Sequence, residues 1–226
     1  MITRDYLKPN TIVKIVLFFL VSVYFSNKSF PQELWTGGTI EINIKKKFSL
    51  ELEPQLRLAD GLTSYNGYYC EAGFGFEINK HLKVKGSYRY TDKAGHHDSE
   101  IRPSNNRERF SGDLYIKIGK KFPVKYRIKY QYTKERNTHI EYNYIRNKIT
   151  VNYQLHDLAK PFTSGEFFYR LDKKNELRAF RFTIGLDSKI SKEISAKNFF
   201  KVEKEMNVKY PQKYYIYGIM FTYKFN

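Results

Sequence analysis

Cysteine is nearly missing from this sequence. Cys70 stands alone among 226 residues, so no intramolecular disulfide can form. It lies too far from the N-terminus to carry a lipoprotein-type lipid anchor. Long apolar runs are scarce too. After Phe25 no stretch is long enough to cross a bilayer as a helix, which excludes a helical membrane protein. Histidine is limited to five residues: His81, His96, His97, His139 and His156. None falls in the strand-borne Ser/His/acid arrangement that a nucleophilic triad needs. His96-His97-Asp98 with Glu100 offers metal-ligand residue types, but the setting reads as a solvated loop, and no metal or cofactor is expected. No glycine loop that could cradle phosphates is present. Gly73-Phe74-Gly75 sits inside an alternating stretch and reads as relief of crowding.

What the sequence has in quantity is aromatic side chains and positive charge. Tyrosine and phenylalanine number 20 and 18 against a single Trp, yet the mean hydropathy is −0.61. Abundant aromatics argue against disorder, and close alternation of aromatic with charged residues reconciles the two numbers. The net charge of +17 invites a nucleic-acid reading. The charges are spread along alternating stretches, and no helix-turn-helix, zinc or RNA-binding signature accompanies them, so no nucleic-acid partner is expected. Arg4, Lys8 and Lys14, the apolar run Ile15 to Phe25, and the polar Ser26 to Gln32 follow the order of a secretory signal. Residues 1–31 are therefore expected to be a signal peptide and 32–226 a single domain.

Eleven segments of period-two alternation follow, which is the pattern of β-strands with two different faces. In the last, Tyr215, Tyr217, Ile219, Phe221, Tyr223 and Phe225 form one row, opposite Tyr214, Ile216, Gly218, Met220, Thr222 and Lys224. Phe48 to Leu58, Leu82 to Tyr90, Val124 to Tyr132 and Ile145 to Tyr153 repeat the design. Weaker members are Leu34–Lys45, Tyr68–Ile78, Phe110–Ile118, Thr163–Leu171, Arg178–Ser188 and Ile194–Val202. Short connections such as 45–47 and 79–81 alternate with mostly longer polar ones such as 92–107 and 203–213. Strands of this length, connected in this way, predict an all-β fold: an antiparallel up-and-down transmembrane β-barrel of 10–12 strands. Even strand numbers are usual in such barrels, so eleven segments imply ten strands if Leu34–Lys45 does not cross. One unrecognised strand would instead make twelve.

One face of the series would meet lipid. The other would line a narrow, net-basic lumen with Arg57, Lys83, Arg89, Lys125, Arg127, Lys129, Arg146, Lys148, Glu166 and Arg181 among its residues. Charges so placed survive only when paired or hydrated, and a basic surplus would favour anions through any open pore. A stretch with Arg102, Arg107 and Arg109 could touch lipopolysaccharide phosphates but reads as a solvated loop. Tyr215, Tyr217, Phe221, Tyr223 and Phe225 would form the assembly-signal strand, although Asn226 follows the final aromatic. The expected partners are outer-membrane lipid and, during biogenesis, the barrel-assembly machinery and periplasmic chaperones. The expected state is a monomer in the outer membrane of a Gram-negative bacterium. The expected role is structural, small-pore or surface-binding rather than enzymatic. Two alternatives stand beside it: an outer-membrane lipid-modifying enzyme, and a periplasmic lipocalin-like ligand-binding barrel with its apolar face inward.

Several short motifs resemble one family. They are Tyr144-Ile145-Arg146-Asn147-Lys148, Glu166-Phe167-Phe168-Tyr169, Arg181-Phe182-Thr183-Ile184-Gly185-Leu186 and Tyr223-Lys224-Phe225, with Leu34-Trp35 and the Glu51–Arg57 strand near the start. Together they are similar to the domain of unknown function 2490 family of Gram-negative proteins. That resemblance implies an exported outer-membrane β-barrel and no particular activity.

Overall fold

The computed structural model describes residues 31–45, 47–59, 64–93, 95–97, 100–102, 106–119, 123–153, 158–172 and 175–225. The chain divides into the units Met1–Pro31 and Gln32–Asn226. Apart from Pro31 the first unit lies outside the described residues, and with it the expected signal peptide.

The second unit is built from strands. In chain order they are β1 (Glu33–Ile44), β2 (Phe48–Ala59), β3 (Ser64–Asn79), β4 (Leu82–Lys93), β5 (Gly95–His97), β6 (Glu100–Arg102) and β7 (Arg107–Ile118). They continue as β8 (Val124–Glu135), β9 (Glu141–Asn152), β10 (Ala159–Arg170), β11 (Glu176–Lys189), β12 (Ile194–Glu205) and β13 (Lys213–Phe225). The small β5–β6 hairpin stands apart, so His96 and His97 lie on a strand rather than in an irregular loop. The eleven long strands are the eleven alternating segments, and they close into one barrel.

The closure corrects the expected antiparallel topology. β1 and β13 run parallel, with Trp35 opposite Gly218 and Ile40 opposite Tyr223. All other neighbouring pairs in the barrel are antiparallel. The reason is topological. In an up-and-down series with an odd strand count, the first and last strands point the same way, so closure requires one parallel pair. The count is therefore eleven, neither ten nor twelve, and Glu33 and Phe225 lie at opposite ends of the barrel.

The Gly37-Gly38 pair does not keep β1 out of the sheet; its first glycine accommodates the neighbour. Pro54 lies within β2, and the β1–β2 pairing skips the positions between Gly37↔Gln55 and Ile40↔Leu52. Proline cannot donate to the ladder. A Cβ on Gly37 would run into the Pro54 carbonyl, so only glycine lets the two backbones approach there. The strands also run further than their side-chain pattern suggests. Ser64–Asn66, Glu135 and Glu203–Glu205 belong to strands rather than to loops. The contrast in loop length between the two ends is correspondingly milder, with 94–106 and 206–212 the longest connections.

Burial distinguishes the two faces. Ile42, Leu52, Phe74, Phe110, Tyr130, Ile149, Phe167, Phe182, Ile184 and Phe221 are exposed. Their neighbours of opposite parity, Gln55, Glu71, Asp113, Lys129, Gln131, Glu166 and Thr183, are buried. Among the described residues, buried polar and charged side chains outnumber buried apolar ones. In a closed barrel this means a polar interior and an apolar outer wall. It is the reverse of a soluble barrel, whose apolar face turns inward.

Candidate functional site

The barrel interior gathers chemically capable side chains from many strands. On the side of the seam, Trp35, Phe199 and Ile216 form a buried apolar cluster, with Phe162, Tyr214 and Met220 packed against it. Gly218 makes this possible, because any Cβ there would collide with the Phe199 ring. Trp35 is held from the polar side as well. Its Nε1 donates to Glu33 at 2.6 Å, and Lys201 Nζ lies 3.8 Å from its ring centroid.

Next to this cluster runs a belt of ion pairs, whose Arg181 guanidinium carbon is 5.7 Å from the Trp35 ring centroid. Glu166 on β10, 2% exposed, is its hub. Arg146 reaches it from β9 at 2.8 Å, Arg181 from β11 at 3.4 Å, and Arg127 from β8 at hydrogen-bonding distance. Arg146 also donates to Gln131 at 2.9 Å, and Arg181 continues to Glu203 on β12. A second group begins at Asp113, which faces Lys129 at 3.2 Å and Arg127 at 3.7 Å. A third joins Glu71 to Arg89 at 2.6 Å and to Lys85 at 3.6 Å, and Lys85 in turn to Glu51, which also pairs with Lys83 at 3.2 Å. Inward glycines make room for the lysine stems: a Cβ at Gly73 or Gly75 would meet the Cε of Lys85 or Lys83. Multiple partners per carboxylate are what allow charges to persist away from bulk water.

Seven of the ten residues expected on this face from sequence thus meet in the belt: Lys83, Arg89, Arg127, Lys129, Arg146, Glu166 and Arg181. Lys125 and Lys148 share the same parity on β8 and β9 without an ion-pair partner among the described residues. Arg57 stacks instead on aromatics, its guanidinium carbon 4.1 Å from the Trp35 centroid and 5.2 Å from that of Tyr69. Arg107 and Arg109, read from sequence as loop residues, belong to β7. Arg107 pairs with Glu135 at 2.6 Å. Tyr215, Tyr217, Phe221, Tyr223 and Phe225 take the outward parity of β13, and Phe221, Tyr223 and Phe225 are exposed.

Sequence reasoning missed Trp35, Tyr69, Phe199, Lys201 and Glu203. The signal for the last three was present, since Phe199, Lys201, Glu203 and Glu205 alternate along β12. The aromatic Phe199 masked it by breaking the charged row. Of the histidines, His81 lies in the β3–β4 turn with Nδ1 3.0 Å from the Lys117 carbonyl oxygen, and His139 lies in the β8–β9 connection. His156 is outside the described residues. No group of three or more potential metal ligands occurs among the described residues. The outer wall carries its own relief: Gly86 opposite Gly112 leaves a shallow apolar groove bordered by Phe74, Tyr88, Phe110 and Tyr130.

The family model described as "Protein of unknown function (DUF2490)" matches residues 32–200. The match runs from just before β1 into β12, so the closing strand lies beyond it. No curated protein matches the chain.

Proposed function

The chain belongs to the DUF2490 family of proteins of unknown function, and we propose that it is an outer-membrane β-barrel that crosses the bilayer with its eleven long strands. The carrying observation is the polarity of the wall. Large aromatic and aliphatic side chains are exposed on ten of the eleven long strands, all but β12, while Glu71, Asp113, Lys129, Arg146 and Glu166 are buried within. In water such an exterior is an aggregation hazard; against acyl chains it is the favourable arrangement. Strands of twelve residues or more, as in β1, β2 and β4, are long enough to cross when tilted. The same polarity argues against the lipocalin-like alternative, which needs an apolar cavity.

The interior supports a narrow or closed channel rather than a wide one. The Trp35–Phe199–Ile216 cluster and the side chains of the ion-pair belt both occupy it. Its basic surplus, with Arg57, Lys125 and Lys148 lacking acidic partners among the described residues, would favour anions in whatever passage remains. The test is fractionation. The protein is expected in the detergent-extracted envelope, with a heat-modifiable mobility on gels. Recovery in the soluble periplasmic fraction without detergent would overturn the reading. Conductance in planar bilayers then separates a small pore from a closed barrel.

A further inference from the structure

We propose that the loop end of the barrel interior is a binding site for a phosphate-bearing anion, held by Arg57 and Arg109. A half-enclosed cavity of ≈ 220 Å³ opens there, and both arginines line it. Three of the other basic residues that line it have carboxylate partners: Arg89 has Glu71, Arg107 has Glu135, and Arg181 has Glu203 and Glu166. Arg57 and Arg109 have none among the described residues. Arg57 Nε is buried without any hydrogen-bond acceptor. Arg109 Nε makes one long contact, 3.4 Å to the Thr133 hydroxyl. A half-buried guanidinium that lacks a carboxylate partner and lies among other arginines is costly. An anion that accepts from both removes that cost. Guanidinium forks match the oxygens of a phosphate bidentately.

Arg57 is also fixed in place. It is stacked on Trp35 and Tyr69, and Arg89 lies over the other aromatic partner, 3.6 Å from the Tyr69 centroid. The Tyr69 hydroxyl is anchored in turn by Glu53. The β2–β3 register shifts immediately beside Arg57, between Arg57 and Leu58. Opposite it stands Gly67 at φ +143, where a Cβ would strike the Asp92 carbonyl. Bulges of this kind re-aim side chains, and this one lies in the cavity wall, where Asn66 and Gly67 both line the opening. The site rests on the closed barrel itself and is independent of which membrane holds it.

The phosphate could be free or carried on a lipid headgroup, and titration separates the two. The detergent-purified full-length protein, in phosphate-free buffer, is titrated calorimetrically with inorganic phosphate and separately with dihexanoyl phosphatidic acid below its micellar concentration. Saturable binding of at least one probe is expected. Arg57→Gln and Arg109→Gln should each weaken it about tenfold or more, while Lys197→Gln, an exposed lysine on β12, should leave it unchanged. Binding of both probes identifies free phosphate as sufficient, and binding of phosphatidic acid alone identifies a lipid headgroup. Heat-modifiable mobility verifies that each variant is folded, and Arg57→Lys, which keeps the charge, should bind between wild type and Arg57→Gln. Absence of saturable binding by either probe, or unchanged affinity in the folded glutamine variants, overturns the proposal.

Discussion

Trp35 on the first barrel strand stands in parallel register with Gly218 on the last. The pair marks the seam at which the barrel closes. The empty side-chain position at Gly218 admits the Phe199 ring beside Trp35, so the closing backbone pair and the interior apolar cluster depend on the same glycine.

Substituting Gly218→Val should therefore damage the seam. The added methyls meet the Phe199 ring, which is 8% exposed and has little room to withdraw. Overpacking of this kind costs about 1–3 kcal/mol. The expected outcome is heat-modification at a lower temperature than wild type. An unchanged transition would mean that Phe199 repacks freely.

Glu166→Gln should cost considerably more. Arg127 retains Asp113 and Arg181 retains Glu203, but Arg146 keeps no carboxylate, only its hydrogen bond to Gln131 and its stacking on Phe168. Leaving a buried charge without its partner costs about 3–5 kcal/mol. Removing an exposed pair, by Lys197→Gln opposite Asp187, should change stability by about 0–1 kcal/mol. Urea unfolding in detergent, followed by the emission of Trp35, the single tryptophan, measures both.

Phe74, exposed midway along β3, reports what surrounds the wall. In a lipid bilayer Phe74→Arg should destabilise by about 2–4 kcal/mol, the depth-dependent penalty of a charge against acyl chains. A substitution on a water-facing wall would be close to neutral or favourable. Unfolding from lipid vesicles of wild type and variant decides, and a neutral result would count against the membrane reading.

Cys70 offers a chemical probe on the same face. It shares the outward parity of β3 with Ala72 and Phe74 and carries a free thiol. In intact cells a membrane-impermeant maleimide should leave it unmodified, with labelling appearing after denaturation in detergent. Ready labelling in intact cells would place Cys70 in contact with water.

Much of this architecture was legible residue by residue. Every barrel strand announced itself through alternation, because a strand's two faces repeat every second residue and need no knowledge of distant partners. The rows Tyr215 to Phe225 and Lys125 to Glu135 are local facts of this kind. Local pattern also has limits. Alternation is identical whether the charged row points in or out, and it carries no information about which strand neighbours which.

What the amino-acid order determined by itself was the position of the strands and the chemical contrast between their faces. Closure decided the rest. Only the assembled barrel sets eleven strands with one parallel seam, because the count matters only when the first strand meets the last. Only the assembled barrel turns the charged row inward and brings Arg127, Arg146 and Arg181 from three strands onto one carboxylate, Glu166. And only there do Arg57 and Arg109, far apart in sequence, line the same cavity. Those relationships are set by distances between strands, which period-two alternation does not encode.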